Sequence, residues 1–277
     1  MRSSAPHSGR RQGLPFFLFL AGVLAFLLGT RFPAQGASLC AGSDLTAVPD
    51  TAPFSSAPVF ASGAGEDAGD KWVCLTFDDG PSKTTPAVLE ALDAAGVHGT
   101  FFVVATGHNQ KYLPLLTQAA AAGHQIALHS ASHEYSDIYR SADAYWQDIA
   151  LLKERIAPYV DPEGIRYLRF PGGSTNTVSR RYGGKGLMQQ LKSEVEQKGW
   201  QWVDWNVCAE DAVGGHPDAD TIYRNVVRET GEQTRCVVLM HDSATTGTTA
   251  QALPEIIRWY ADRDYRFLTV EQALPLG

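Results

Sequence analysis

The chain is short of bases. Its 277 residues carry 23 Lys and Arg against 30 Asp and Glu. Four of the arginines fall within the first 36 residues, which hold no acid; the remainder has 19 bases and a net charge of −11. A nucleic-acid binder carries the opposite sign, so that class is excluded, and an uncharged or cationic substrate is the easier fit. Long apolar runs are few. The notable one, Leu14 to Gly29, has 16 residues, short of the roughly 20 that a comfortable membrane span needs. Cysteine is sparse too: Cys40, Cys74, Cys208 and Cys236, with no Cys-x-x-Cys pair. Cys236 opens a predicted strand, and Cys208 lies beyond the end of another. Cys74 shares parity with Asp78, whereas Cys236 has the opposite parity to His241, so those two face opposite ways. Buried free thiols are the expectation. Between Ser38 and Asp70 large apolar side chains are scarce, which excludes an independently folded unit and predicts a flexible linker. No internal repeat is evident.

What is present begins with a leader. Arg2, Arg10 and Arg11 precede the apolar run, and the small residues Ala34 to Ala37 follow it. That is the order of a secretory signal peptide, with an uncleaved signal-anchor as the alternative. Leu39 is too bulky to precede a lipidated Cys40. The chain therefore divides into a leader (1–36), a linker (37–70) and one domain (71–277). Export is expected, to the cell wall or to the outer face of a membrane, with the domain acting as a monomer.

Apolar runs rich in β-branched and aromatic residues alternate with helical patterns through the domain. Strands are predicted at 71–78, 99–104, 125–129, 166–170, 200–206, 236–240 and 267–270. Helices are predicted at 85–95, 112–122, 142–157, 187–198, 218–230 and 253–262. Such alternation implies a parallel sheet with helices outside. About seven units in this length fit an irregular (β/α)7 barrel better than a full eightfold one. Polar residues gather at the carboxyl ends of the strands, where parallel β/α architectures build their sites.

The first strand ends in Asp78-Asp79-Gly80-Pro81. Two adjacent carboxylates at the end of a buried strand repel each other and lose solvation, unless a cation or a proton intervenes. Alone the run reads as a turn, with Gly80 supplying positive φ. His129-Ser-Ala-Ser-His133 follows another strand, at the i, i+4 spacing that lets two imidazoles meet one ion on a helical turn. Joined with the acidic pair it gives two nitrogens and a carboxylate oxygen, a set for Zn²⁺ with open positions, or for a non-haem iron oxygenase. The second aspartate favours hydrolysis, which profits from a base beside an activated water. Arg169, Asp204-Trp205 and Leu239-Met-His241 close three more strands. Singly, each has a structural alternative: an ion pair, a helix cap, a satisfied core histidine. His98, His108, His124 and His216 lack partners and read as structural or solvated. Trp72, Trp200, Trp202 and Trp259 read as packing.

Together these runs resemble the polysaccharide deacetylase family, the NodB-like carbohydrate esterases. Thr76-Phe-Asp-Asp-Gly80, His129-Ser-Ala-Ser-His133, Arg169-Phe-Pro-Gly-Gly173, Asp204-Trp205 and Leu239-Met-His241 occur in the order of the family's five motifs. The resemblance implies the following roles. Asp79, His129 and His133 hold the metal. Asp78 is the general base, oriented by Arg169. His241 is the general acid, tuned by Asp204. Trp205 and Leu239 line the acetyl pocket, and the Gly172 N–H stabilises the oxyanion. The family usually has a bulky aromatic where this chain has Gly172, which predicts a more open groove wall. The implied activity is metal-dependent N-deacetylation of an amino-sugar glycan. Peptidoglycan leads, chitooligosaccharide and acetylxylan follow, and a non-catalytic glycan-binding barrel is the rival from another class.

Overall fold

A computed structural model describes residues 71–214 and 216–276. The expected leader and linker lie outside the described residues. In chain order the elements are β1 (Trp72–Asp78), α1 (Thr85–Ala94), β2 (Thr100–Val104), α2 (Leu115–Ala121), β3 (Gln125–Ser130), α3 (Tyr135–Ile138), α4 (Ala142–Ile156) and β4 (Tyr167–Leu168). There follow α5 (Val178–Gly183), α6 (Leu187–Gln197), β5 (Gln201–Trp202), β6 (Val207–Cys208), α7 (Ala219–Thr230), β7 (Arg235–His241), α8 (Gly247–Ala261), β8 (Arg266–Phe267) and α9 (Val270–Ala273).

The sheet runs β5-β4-β3-β2-β1-β7-β6, and β8 also pairs with β1. Every pairing is parallel. Strand β7 pairs along the whole of β1, whereas β2 meets only Thr76–Asp78 and β8 only Trp72 and Val73. The free edge of β1 is thus shared, β8 below and β2 above. Among the described residues no pairing joins β5 to β6, so the sheet forms an open half-barrel with helices around it, the irregular (β/α)7 barrel expected.

Strand parity builds two cores. Val73, Leu75 and Phe77 of β1 point outward into the larger apolar cluster with Leu92 of α1, Ile149 of α4 and Ile256 of α8. Trp72 and Cys74 point inward with Phe102, Ala127, Tyr167 and Val237. The same inward column continues upward through Thr76 to Asp78, and on the other strands through His129, Arg169 and His241. The barrel is therefore apolar at its base and polar at the carboxyl ends of its strands. Parity also separates Cys236, in the outer cluster, from Cys74, in the inner one. Both are free thiols, as expected. Burial pushes the Cys74 thiol well up and the Cys236 thiol up to about 11. Cys208 corrects the expectation: it is disulfide-bonded.

Candidate active site

The acidic pair sits where β1 ends between β2 and β7. Register places Asp78 beside Phe102 on one side and His241 on the other. Positive φ falls on Asp79 (68°) rather than on Gly80. Gly80 is required for space instead: a Cβ there would come within 2.0 Å of the Asp242 carboxylate. The turn is held from the loop after β2, where Asn109 Nδ2 donates to the carbonyls of Asp79 (3.1 Å) and Pro81 (2.8 Å).

His129 is the inward-facing residue near the end of β3. His133 lies past a tight turn with φ 56°, so the two rings meet across a strand end and a left-handed residue, not along the helical turn expected. His129 Nε2 is 3.6 Å and His133 Nε2 3.3 Å from Asp79 Oδ1. Ligands about 2.0–2.1 Å from a tetrahedral ion lie about 3.3–3.4 Å apart, which is close to both spacings. Among the described residues the buried Asp79 Oδ1 finds no hydrogen-bond partner. His129 Nδ1 is 2.7 Å from the Arg169 carbonyl; donating there, it leaves Nε2 with its lone pair toward Asp79. Burial lowers the pKa of His129 against the pull of Asp78 and Asp79, favouring that neutral form. Burial works to raise Asp79, but the imidazoles of His133, His129 and His241 outweigh it and the pKa is lowered. An orphaned carboxylate oxygen facing two imidazole nitrogens fits a divalent cation.

Arg169 has no solvent exposure. Its guanidinium donates to Asp78 Oδ1 (2.7 Å), Thr76 Oγ1 (2.8 Å) and the carbonyls of Val203 (2.9 Å) and Asp204 (3.2 Å), and it stacks on Phe102 at 4.1 Å. Asp78 Oδ1 is thereby occupied, and Oδ2 faces His129 Nε2 at 3.9 Å.

Asp204 is not the partner of His241. Its carboxylate accepts from the backbone N–H (2.8 Å) and hydroxyl (2.5 Å) of Ser174, pinning the loop after β4. The partner is Asp211. His241 Nδ1 is 2.8 Å from Asp211 Oδ1, and the His241 backbone N–H donates to Oδ2 at 2.7 Å. Thr249 Oγ1 of α8 donates to the same Oδ2 at 2.7 Å. Burial opposes charge on His241, but the charge and hydrogen bond of Asp211, with Asp79 and Asp78 adding, raise its pKa to about 9. The misassignment has a physical reason. The predicted strand 200–206 is in fact β5, a break and then β6, so the acid past the second strand end is Asp211 and not Asp204. Neighbouring Asp242 is fully buried and pushed up to about 7 by burial despite a hydrogen bond from Thr85 Oγ1 (2.6 Å).

Sequence reading also missed Asp148 of α4. Its carboxylate accepts from Ser130 Oγ (2.6 Å) and from the N–H groups of Ala131 (2.8 Å) and Ser132 (3.0 Å), fixing the chain between the two histidines. An acid inside the apolar face of Tyr145, Ile149 and Leu152 was the available signal. Leu239 is buried on the inward face of β7. Trp205 lies over Gly173, where a Cβ would meet its ring at 2.9 Å. Gly172 turns with φ 77°. Its wall is not open as expected: a Cβ at 172 would be 3.2 Å from the Tyr135 hydroxyl, which fills that space. Burial pushes the Tyr135 phenol up to about 12, with Asp79 and Asp78 adding, so it keeps its proton.

A family model described as polysaccharide deacetylase matches residues 65–190. The catalytic domain of a peptidoglycan N-acetylglucosamine deacetylase from Eubacterium rectale ATCC 33656 superposes with a TM-score of 0.70 at 35% identity, covering 78% of this chain and 96% of that one. A CE4 esterase from Streptococcus mutans gives 0.63 at 30% identity, covering 72% and 86%. A peptidoglycan-N-acetylglucosamine deacetylase from Bacillus cereus (strain ATCC 14579) is 28% identical over 212 residues, covering 74% of this chain and 89% of its own length. Likeness of this identity and coverage makes the chain a member of the polysaccharide deacetylase family, metal-dependent hydrolases of the amide bonds of N-acetylated sugars.

Proposed function

We propose that this chain is an exported, zinc-dependent enzyme that removes N-acetyl groups from the glucosamine of cell-wall peptidoglycan. The observation that carries the chemistry is the triangle of Asp79, His129 and His133, whose ligand atoms lie within 4.8 Å of one another around an unpartnered Asp79 oxygen. Two imidazoles and one carboxylate with open positions suit Zn²⁺. The names of the Eubacterium and Bacillus relatives support the glycan, and the signal-like order of residues 1–36 supports export. Among the described residues no helix is long and apolar enough to cross a membrane.

The bound ion would supply a Lewis acid for the acyl oxygen and acidify a water. Asp78 takes a proton from the attacking water through Oδ2, because Arg169 holds Oδ1. The new bond forms between the water oxygen and the acyl carbon. The Gly172 N–H donates to the acyl oxygen as it gains charge. His241, charged through Asp211, gives its Nε2 proton to the nitrogen as the C–N bond breaks. Acetate and a free amine leave. Trp205 and Leu239 bound the space for the methyl group.

An acetate-release assay on peptidoglycan, chitin oligomers and acetylxylan, with and without chelator, tests the reading. Acetate from peptidoglycan, lost on chelation and restored by Zn²⁺, is the expected result. Glycan binding without acetate would favour the non-catalytic barrel, and oxygen consumption with Fe²⁺ the oxygenase.

A further inference from the structure

Within the described residues neither the Tyr135 hydroxyl nor the Gly172 N–H, both at the carboxyl end of the barrel, makes a hydrogen bond. The neighbouring groups of the loop after β4 are paired. The Pro171 carbonyl accepts from the Tyr139 hydroxyl at 2.7 Å, the Gly173 N–H donates to Phe170 at 2.7 Å, and Ser174 is bound to Asp204. The Tyr135 ring is fixed on both faces of its approach. It lies edge-on to the His133 imidazole at 5.4 Å and stacks with Tyr139 at 6.0 Å. Its hydroxyl and any side chain at position 172 would contend for one space, 3.2 Å apart. Glycine at 172 therefore leaves the phenol beside the backbone donor and within reach of whatever the metal-binding cluster holds. A ring needed only to fill volume would serve equally as Phe.

We propose that Tyr135 is a catalytic residue whose hydroxyl, together with the Gly172 N–H, donates to the acyl oxygen of the substrate as negative charge develops on it. The phenol keeps its proton throughout; it shares a hydrogen bond and transfers nothing. The proposal rests on the deacetylase reading, and it adds a side-chain donor to the acyl pocket, from the loop between β3 and α3.

The test is Tyr135→Phe in the full chain, which keeps the ring against His133 and Tyr139. Loss of one donor to a developing oxyanion is expected to lower kcat about 100- to 1,000-fold with little change in KM. Zinc content should be unchanged. A tetrahedral, anionic methylphosphonamidate of the amino sugar should bind more weakly by the same factor as kcat/KM falls, while affinity for the deacetylated product holds. Unchanged kcat would overturn the proposal. So would a rise in KM alone, or a loss of zinc parallel to the loss of activity, which would make Tyr135 a support for His133. If the unaltered chain releases no acetate, the deacetylase reading fails first. If it turns over and Tyr135→Phe matches it, only the role of Tyr135 fails.

Discussion

A guanidinium without solvent exposure decides which oxygen of Asp78 can act. Arg169 occupies Oδ1 at 2.7 Å, leaving Oδ2 toward the metal-binding cluster. Asp78→Asn keeps an oxygen for Arg169 but has no basic site. It should lower kcat by about 10²–10⁴-fold while zinc content by elemental analysis stays at the unaltered value. Undiminished turnover would refute Asp78 as the base. The acid has a different signature. His241 is held charged by Asp211, with a pKa of about 9 in the fold against about 6.5 unperturbed. Because the charged form is the active one, activity is present below that value and falls as pH rises through it. Asp211→Asn removes the charge that raises it, so the basic limb of the kcat/KM profile should move toward lower pH. A limb that stays in place would detach Asp211 from the acid. At this scale the sequence was legible where a residue type names its chemistry: the two aspartates, two histidines and the arginine were all placed at strand ends. It was not legible where function depends on direction. Gly80 is small because Asp242 lies against it, and Asp204 and Asp211 exchange roles because the strand breaks between them.

Elements position these residues through single polar anchors. The tall central strands β1, β2, β3 and β7 read clearly from apolar parity, and α4 and α6 match their expected spans within a residue or two at each end. The two-residue strands β4, β5, β6 and β8 carry too few side chains to show a period. Helix α8 starts at Gly247, six residues before its expected start, and runs through Pro254. Proline normally ends a helix; here the preceding turn is tied to the site by the bond from Thr249 to Asp211. Asp148 makes the same kind of link from α4. Three donors of the segment between the two histidines converge on its carboxylate, so His133 can hold its left-handed backbone. Asp148→Ala should leave a folded chain by circular dichroism but weaken zinc binding about 10- to 100-fold, as loss of an outer support to a metal ligand does. Titration against a competing chelator measures it. Unaltered affinity would reduce Asp148 to a packing contact.

The whole barrel concentrates unfavourable features at one end. Asp78, Asp79 and Asp242 lie close enough to repel one another beside His241, one carboxylate oxygen of Asp79 and one of Asp242 lack hydrogen-bond partners among the described residues, and Asp79 and His133 both take positive φ. Left-handed backbone at a side-chain-bearing residue costs about 1–3 kcal/mol. The apolar base and the outer helical layer must carry that strain when the ion is absent, and binding relieves part of the repulsion. Zinc should therefore stabilise the folded chain. At a free concentration of 100 Kd the gain is about 2.7 kcal/mol, which for a domain of this size raises Tm by about 5–11 °C. His133→Ala should abolish the zinc-dependent rise, since it removes a ligand. Asp78→Asn should retain it, since Asp78 lies outside the Asp79, His129 and His133 group and is proposed as the base. Thermal unfolding with chelator and with zinc separates the cases. Equal Tm values for the unaltered chain under both conditions would mean that the Asp79, His129 and His133 cluster does not hold the ion.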